Sequence, residues 1–330
     1  MRVPFDDLRG ELLRALLKMG FGHERAELCA RLFAETTRDG VYTHGLNRFS
    51  RFVEMVHNGS IDVHAHPVRV SSAGALERWD GRRGPGNLNA YACMERALAL
   101  AWEHGLGCVA LGNTNHWMRG GSYGWQAAEA GCIAVCWTNT LPNVPAWGGT
   151  DPRIGNNPLV IAVPRAAGHV VLDMATSQFS YGQLAAYRAR GEQLPVAGGY
   201  DSAGELTRDA AAIEASQRAL PIGYWKGSGL AMMLDMVAAT LSGGLATHQI
   251  PADALREAGL SQMFIAMDAK RLGASSEIAD EIVAFVQASA PVQAGKAVRY
   301  PGEQTVKLRE ENLRLGVPVE EAAWQQLLGM

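Results

Sequence analysis

Three short apolar stretches crowd the middle of the chain: Ile133-Ala134-Val135-Cys136-Trp137, Leu159-Val160-Ile161-Ala162-Val163 and Val170-Val171-Leu172-Asp173-Met174. Each has the length and the Val/Ile content of a strand. No long helix intervenes between them, whereas parallel neighbours are usually joined by a helical crossover. The stretch therefore predicts an α+β fold with a mixed or largely antiparallel sheet, not βαβ alternation.

Towards the N-terminus the pattern turns helical. Leu8, Leu12, Leu13, Leu16 and Met19 recur at helical spacing, with Asp6 or Asp7 as the expected cap and Gly20 as the stop. A second helix is expected over about 23–38 and a third from Leu46 to about Asn58. Then come a short strand at Val68–Val70, an alanine-rich helix over 87–104, a strand at Cys108–Leu111 and a helix over 122–130. Beyond the central stretch lie a helix over about 179–190 and a Gly/Pro/Asp-rich loop over 191–211. An apolar helix opening at Gly227-Ser228-Gly229 follows, then a strand at Gln262–Ala266 and a helix over about 276–289. Two terminal helices are punctuated by Gly302 and by Gly316-Val317-Pro318.

Gly105-Leu106-Gly107-Cys108-Val109-Ala110 matches the GxGxxA spacing of a dinucleotide fingerprint. It follows a helix and opens a strand, the reverse of the context in which such a turn grips a pyrophosphate, so it is set aside. Composition excludes other classes. The chain has 330 residues, a net charge of −3 and 48% hydrophobic residues, and lacks the basic excess of a nucleic-acid binder. No apolar run reaches a membrane span of about 18 residues, and no secretory leader is visible. Five cysteines without CxxC spacing are expected to be reduced, as in a cytosolic protein.

Three polar clusters stand out. Thr43-His44-Gly45-Leu46-Asn47-Arg48 opens the third helix and puts His44 and Arg48 on one helical face. A neutral-pH proton donor beside a guanidinium suits a keto acid, whose carboxylate the arginine would hold while the imidazole protonates the carbonyl oxygen. Asn113-Thr114-Asn115-His116-Trp117-Met118-Arg119-Gly120-Gly121 lies between a strand and a helix, where loops carry function. Trp225-Lys226-Gly227-Ser228-Gly229 places a cation at a helix start whose amides are expected to be unpaired and open to an anion. Against these stands a metal-dependent hydrolase or lyase, built from His64, His66, His44 and His116, although no HExxH pattern is present.

Thr43-His44-Gly45-x-Asn47-Arg48, Asn115-His116-Trp117-x-Arg119-Gly120-Gly121-Ser122-Tyr123-Gly124-Trp125 and Ile154-Gly155-x-Asn157-Pro158 do not stand alone. With Asp173-Met174-Ala175-x-Ser177 and Tyr224-Trp225-Lys226-Gly227-Ser228-Gly229, they resemble the type-2 malate/L-lactate dehydrogenase family over essentially the whole chain. The resemblance implies a non-Rossmann fold with a helical domain from residues 1–65 and 295–330, and an NAD(P)- and substrate-binding α/β domain over 66–294. It implies a homodimer with active sites near the subunit interface, and NAD as cofactor, NADH preferred and NADPH the alternative. His44 would be the acid/base, with Thr43, Arg48, Asn115 and His116 on the substrate. His169, Val170, Val171, Leu172, Asp173, Met174, Ala175, Trp225, Lys226, Gly302, Glu303 and Gln304 would meet the dinucleotide. The implied reaction is reduction of a small 2-keto or 2,3-diketo sugar acid, with malate, lactate and cyclic imino acids left open.

Overall fold

The computed structural model describes residues 1–273, 277–293 and 295–330. Its centre is a seven-stranded sheet of β1 (Val68–Ala73), β2 (Leu76–Asp80), β3 (Leu106–Asn115), β4 (Ile133–Thr138), β5 (Leu159–Val163), β6 (Val170–Met174) and β7 (Ala258–Met267), in the order β1-β2-β3-β7-β4-β5-β6. Only β2 and β3 run parallel; every other pairing is antiparallel. The central stretch is thus three neighbouring antiparallel strands, with β7 on the other side of β4. The Gly105–Gly107 turn serves packing. Gly105 closes the preceding helix in the left-handed region (φ +90), and a side chain at Gly107 would collide with the Ala97 carbonyl.

Eleven helices surround the sheet among the described residues: α1 (Phe5–Lys18), α2 (His23–Arg38), α3 (Leu46–His57), α4 (Gly86–His104), α5 (Gly121–Glu129), α6 (Tyr181–Arg190), α7 (Ala210–Ser216), α8 (Trp225–Ser242), α9 (Glu277–Gln287), α10 (Glu303–Leu315) and α11 (Glu321–Leu328). The expected start of α9 at Ser276, and the domain boundary at residue 294, lie outside the described residues. Leu8, Leu12, Phe33, Phe49 and Phe52 from the first three helices share one apolar cluster with Val317, Trp324 and Leu327 from the other chain end. A short antiparallel pairing of Arg2–Val3 with Val317–Pro318 joins the two ends. A second cluster packs α4 and α5 on the sheet. A third and smaller one gathers Val144, Leu184, Leu194, Ala210, Ile213 and Ala219 under α6 and α7.

Several expectations are corrected. Pro4, not Asp6 or Asp7, is the N-cap of α1; both acids lie inside the first turn, where they favour the helix dipole. β2 had no apolar alternation to announce it. It carries Glu77, 1% exposed, whose carboxylate accepts from Arg69, Arg96 and the Trp79 indole. Residues 191–211 are not a bare loop: Gly199–Tyr200 pairs with Leu206–Thr207, and Asp209 caps α7 by accepting from the Ala211 amide. The apolar helix begins at Trp225, two residues before the expected start.

One buried carboxylate ties the layers together. Asp39, at the end of α2, accepts from Arg38 Nε (2.8 Å), from Arg119 Nη1 ahead of α5 (2.7 Å), and from Arg309 Nε and Nη2 on α10 (3.0 and 2.8 Å). Burial alone would raise its pKa. The Arg309 hydrogen bonds and the charges of Arg119, Arg38 and Arg309 outweigh burial and hold it far below the carboxylate range. Removing one partner of a buried ion pair costs about 3–5 kcal/mol. Asp39→Asn is therefore expected to lower the unfolding free energy by about that amount at pH 7. A depressed folded pKa gives stability that is present above the unfolded value and lost as pH falls through the folded one. The gap between wild type and variant should hold above about pH 5 and shrink below about pH 4. Urea unfolding across that range checks it, and a variant as stable as wild type at pH 7 would refute the assignment.

Candidate active site

His44 owes its position to a tight connection. After α2, Gly40 turns the chain (φ +84) into the single 3-10 turn Tyr42–His44. Gly45 follows against α2, where any side chain would collide with Thr37. The Thr37 hydroxyl donates back to the Phe33 carbonyl (2.8 Å) and accepts from the Leu46 amide (2.9 Å), so the start of α3 is pinned to α2. Thr43 Oγ1 lies 3.0 Å from His44 Nδ1.

The second wall comes from the end of β3. Beyond Asn115 the chain leaves the sheet, and His116 Nδ1 accepts from the Met118 amide (3.0 Å). That bond leaves the proton of a neutral His116 ring on Nε2. The His44 and His116 rings stack, with centroids 5.7 Å apart at 19°. Arg48 stands within electrostatic reach of both, and its guanidinium is 3.9 Å from the buried carboxylate of Glu257. Glu257 also pairs with Arg51 (3.3 Å).

Electrostatics follow from this crowding. Burial, then the charges of Arg48 and Arg119, push His44 down to about 4. Burial, then Arg48, His44 and Arg51, hold His116 well below the ordinary imidazole range. Arg48 itself is pushed down to about 10 by burial and by Arg51, against the pull of Glu257. At neutral pH the site holds two neutral imidazoles beside cationic guanidiniums.

His44, His116 and Arg119 open on a cleft of about 710 Å³, which Arg48, expected on the substrate, does not line. Its far wall is β6, from Val171 to Ala175 beyond the strand end, with Pro301, Gly302 and Thr305 closing one end. Val171 N donates to the Pro301 carbonyl (3.0 Å), which fixes the turn before α10 to the strand. Asp173 has surface open to the cleft and accepts from the Gly121 amide (2.8 Å) at the start of α5. Burial raises its pKa, against the Arg119 charge and that hydrogen bond.

The cleft brings together Thr43, His44, His116, Val171, Leu172, Asp173, Met174, Ala175 and Gly302. It does not gather all expected residues. Asn115 is fully buried, and its amide nitrogen donates to the Arg83 and Gly84 carbonyls, so it ties down a loop. Val170 opens β6 outside the lining, and His169 Nδ1 accepts from the Arg165 amide (3.1 Å) while its ring leans on Trp125. Glu303 pairs with Lys307 and Gln304 accepts from Arg299, both on α10 beyond the cleft mouth. Trp225 is 65% exposed, and it and Lys226 stand off this cleft. The amides expected to be open there are used: Lys226 N donates to Gly223 O, Gly227 N to Ile222 O and Ser228 N to Tyr224 O.

Sequence reading missed Thr140, Asn156, Gln178, Ser180 and Gln183, which line the same cleft. Their only signal is proximity to quoted motifs, since Thr140 Oγ1 lies 3.1 Å from Asn156 Oδ1 beside Ile154-Gly155. His66 Nδ1 faces Arg25 and His64 is exposed. Among the described residues, no three His, Cys, Asp or Glu side chains are grouped to hold a metal.

Residues 3–328 match the model of a family described as malate/L-lactate dehydrogenase. A curated relative, 2,3-diketo-L-gulonate reductase of Citrobacter koseri, is 46% identical over 99% of each chain. The malate dehydrogenase of Pyrococcus horikoshii OT3 superposes with a TM-score of 0.90 at 26% identity, covering 100% of this chain and 94% of the other. The Δ1-piperideine-2-carboxylate reductase of Pseudomonas syringae superposes at 0.89 and 26%, covering 100% and 99%. With the imidazole pair, the buried guanidiniums and the largely antiparallel sheet, these matches make the chain an oxidoreductase that belongs to the malate/L-lactate dehydrogenase family.

Proposed function

We propose that the chain is an NADH-linked cytosolic reductase of 2-keto and 2,3-diketo sugar acids, with 2,3-diketo-L-gulonate as the reference substrate, and that it works as a homodimer. The observation that carries this reading is the neutral His44–His116 stack, under the charge of Arg48 and lining a cleft of about 710 Å³. The cleft also suits a polyoxygenated ligand: the bare α-carbons of Gly121 and Gly302 face it, and Arg119 Nε is buried beside it without a partner. Val171–Ala175 and Gly302 would hold the dinucleotide. The apolar clusters of the chain ends and of the sheet support a division into a helical domain, 1–65 with 295–330, and a cofactor- and substrate-binding domain, 66–294.

In this reading the bound nicotinamide supplies the hydride. Arg48 holds the substrate carboxylate, and the Nε2–H of His116 donates to an oxygen on the reacting side. His44 is engaged at Nδ1 with the Thr43 hydroxyl, so the proton moves through Nε2. An anion bound at Arg48 offsets a charge that holds the imidazole down, so substrate raises the pKa of the group that must protonate it. Reduction is thereby coupled to occupancy.

The deciding experiment is turnover of a keto-acid panel with NADH and NADPH: diketogulonate, pyruvate, oxaloacetate and a cyclic imino acid. Diketogulonate with NADH should give the highest kcat/KM. A preference for oxaloacetate or the cyclic imino acid would move the assignment within the family.

Paired variants test the roles. His44→Asn should cut kcat by roughly 10²–10⁴ with the fold intact. Arg48→Lys keeps the charge but loses the fork, so KM should rise more than kcat falls. For wild-type oxidation, kcat/KM should rise through the free His44 value of about 4 and then level, while the kcat profile lies at higher pH. A fully active His44→Asn enzyme would remove the residue from the chemistry.

Lys226 and Trp225 stand off their own cleft, so in this reading they reach a dinucleotide across the subunit interface. Support comes from α8, where Met232, Met233 and Met236 are about half exposed beside Trp225. Lys226→Ala should weaken NADH binding at low salt, with a smaller loss at high salt. Light scattering should show a dimer; a fully active monomer would end the cross-subunit role.

A further inference from the structure

Arg119 is a buried cation with one enclosed donor left idle. The residue is 6% exposed, and Nη1 donates to Asp39 Oδ2 at 2.7 Å. Nε is enclosed and makes no hydrogen bond. Leaving a buried charged donor unmet costs more than the average hydrogen bond returns, so such a group in a functional enzyme points to a missing partner.

The surroundings say what that partner is. Arg119, Gly121 and Asp173 all line the cleft. A side chain on Gly121 would begin 3.2 Å from Arg119 Nε and only 2.8 Å from Asp173 Oδ2, so donor and acceptor both approach the bare α-carbon, where a side chain would be crowded. They form no ion pair with each other among the described contacts, where Arg119 pairs with Asp39. A full anion entering that space would meet the Asp173 carboxylate. A hydroxyl would satisfy both sides, accepting from Nε–H and donating to the carboxylate.

We propose that Arg119, Asp173 and the bare α-carbon of Gly121 form a hydroxyl-binding subsite of the cleft, filled by a sugar hydroxyl of the bound ligand. This rests on the keto-acid reductase reading above, which offers two sources of that chemistry: a ribose of the dinucleotide, or the polyol tail of a sugar acid. Arg119 is then a ligand-contacting residue as well as a partner of Asp39. The second role alone would leave its Nε without purpose.

The test uses Arg119→Lys, which keeps a cation for Asp39 but has no Nε–H, and Gly121→Ala, which fills the space and leaves Arg119 in place. Gly121 lies outside the left-handed region, so alanine meets no backbone strain there, and its methyl, beginning 2.8 Å from Asp173 Oδ2, displaces the acceptor side of the subsite. Two readouts separate the sources: NADH affinity by fluorescence titration without substrate, and the ratio of KM for pyruvate to KM for a polyhydroxylated 2-keto acid. Both variants should lose roughly 10-fold in one of the two, the size expected for one hydrogen bond to a charged group. A loss in NADH affinity identifies the ribose, and a loss in the KM ratio identifies the substrate tail. If both readouts match wild type while the melting temperature of Arg119→Lys falls, Arg119 only braces Asp39 and the subsite does not exist. Failure of the wild type to bind NADH would instead overturn the underlying reading.

Discussion

The Asp39 carboxylate is the constraint on which the rest of the site depends. It lies where α2 ends, immediately before the turn that carries His44. Its arginine partners come from that same helix end, from the segment that carries His116, and from α10, whose first residue follows Gly302. The end of α2, the segment ahead of α5 and α10 are far apart in the chain and share this anchor. A hydrophobic contact would hold them together without direction. A carboxylate taking four donors sets angles as well as distances, at the cost of desolvating the charges involved.

The same economy of charge governs the chemistry. Arg48 and Arg119 both act on His44, and burial adds to their effect, so the imidazole is kept neutral in the absence of an anion. Glu257 offsets part of the positive charge by holding Arg51 and standing 3.9 Å from Arg48, a spacing loose enough to leave that guanidinium available. His116 adds no charge but has its ring orientation settled by a backbone amide.

Sequence reading recovered the antiparallel centre because β4, β5 and β6 are dense in Val and Ile and have no crossover helix between them. It recovered the His44 turn because glycine and polar residues interrupt two amphipathic helices. It failed where the deciding fact is a partner distant in the chain. β2 is invisible because its buried residue is Glu77, whose charge is acceptable only beside Arg96 and Arg69. Asn115 reads as a site residue because it sits in a polar run, yet it lies outside the cleft lining and its amide nitrogen donates to two carbonyls some thirty residues earlier. The helix start at Gly227 looks open in a linear reading, and only the fold around Tyr224, held at φ +59, returns those amides to nearby carbonyls.

The small apolar cluster under α6 and α7 has a consequence for how this scaffold diversifies. Gln183 and Ala186 face the cleft from α6, while Leu184 on the same helix is buried in that separate cluster. Residue changes on the cleft side of α6 therefore leave the packing of the main sheet unaltered, so the cleft lining has a place to vary without loss of folding. The variation has a fence. A side chain at Gly182 would come within 2.5 Å of the Thr43 methyl group, next to the imidazole. Variation that respects that one position alters the shape of the pocket; variation that violates it pushes on Thr43 and the neighbouring His44 ring.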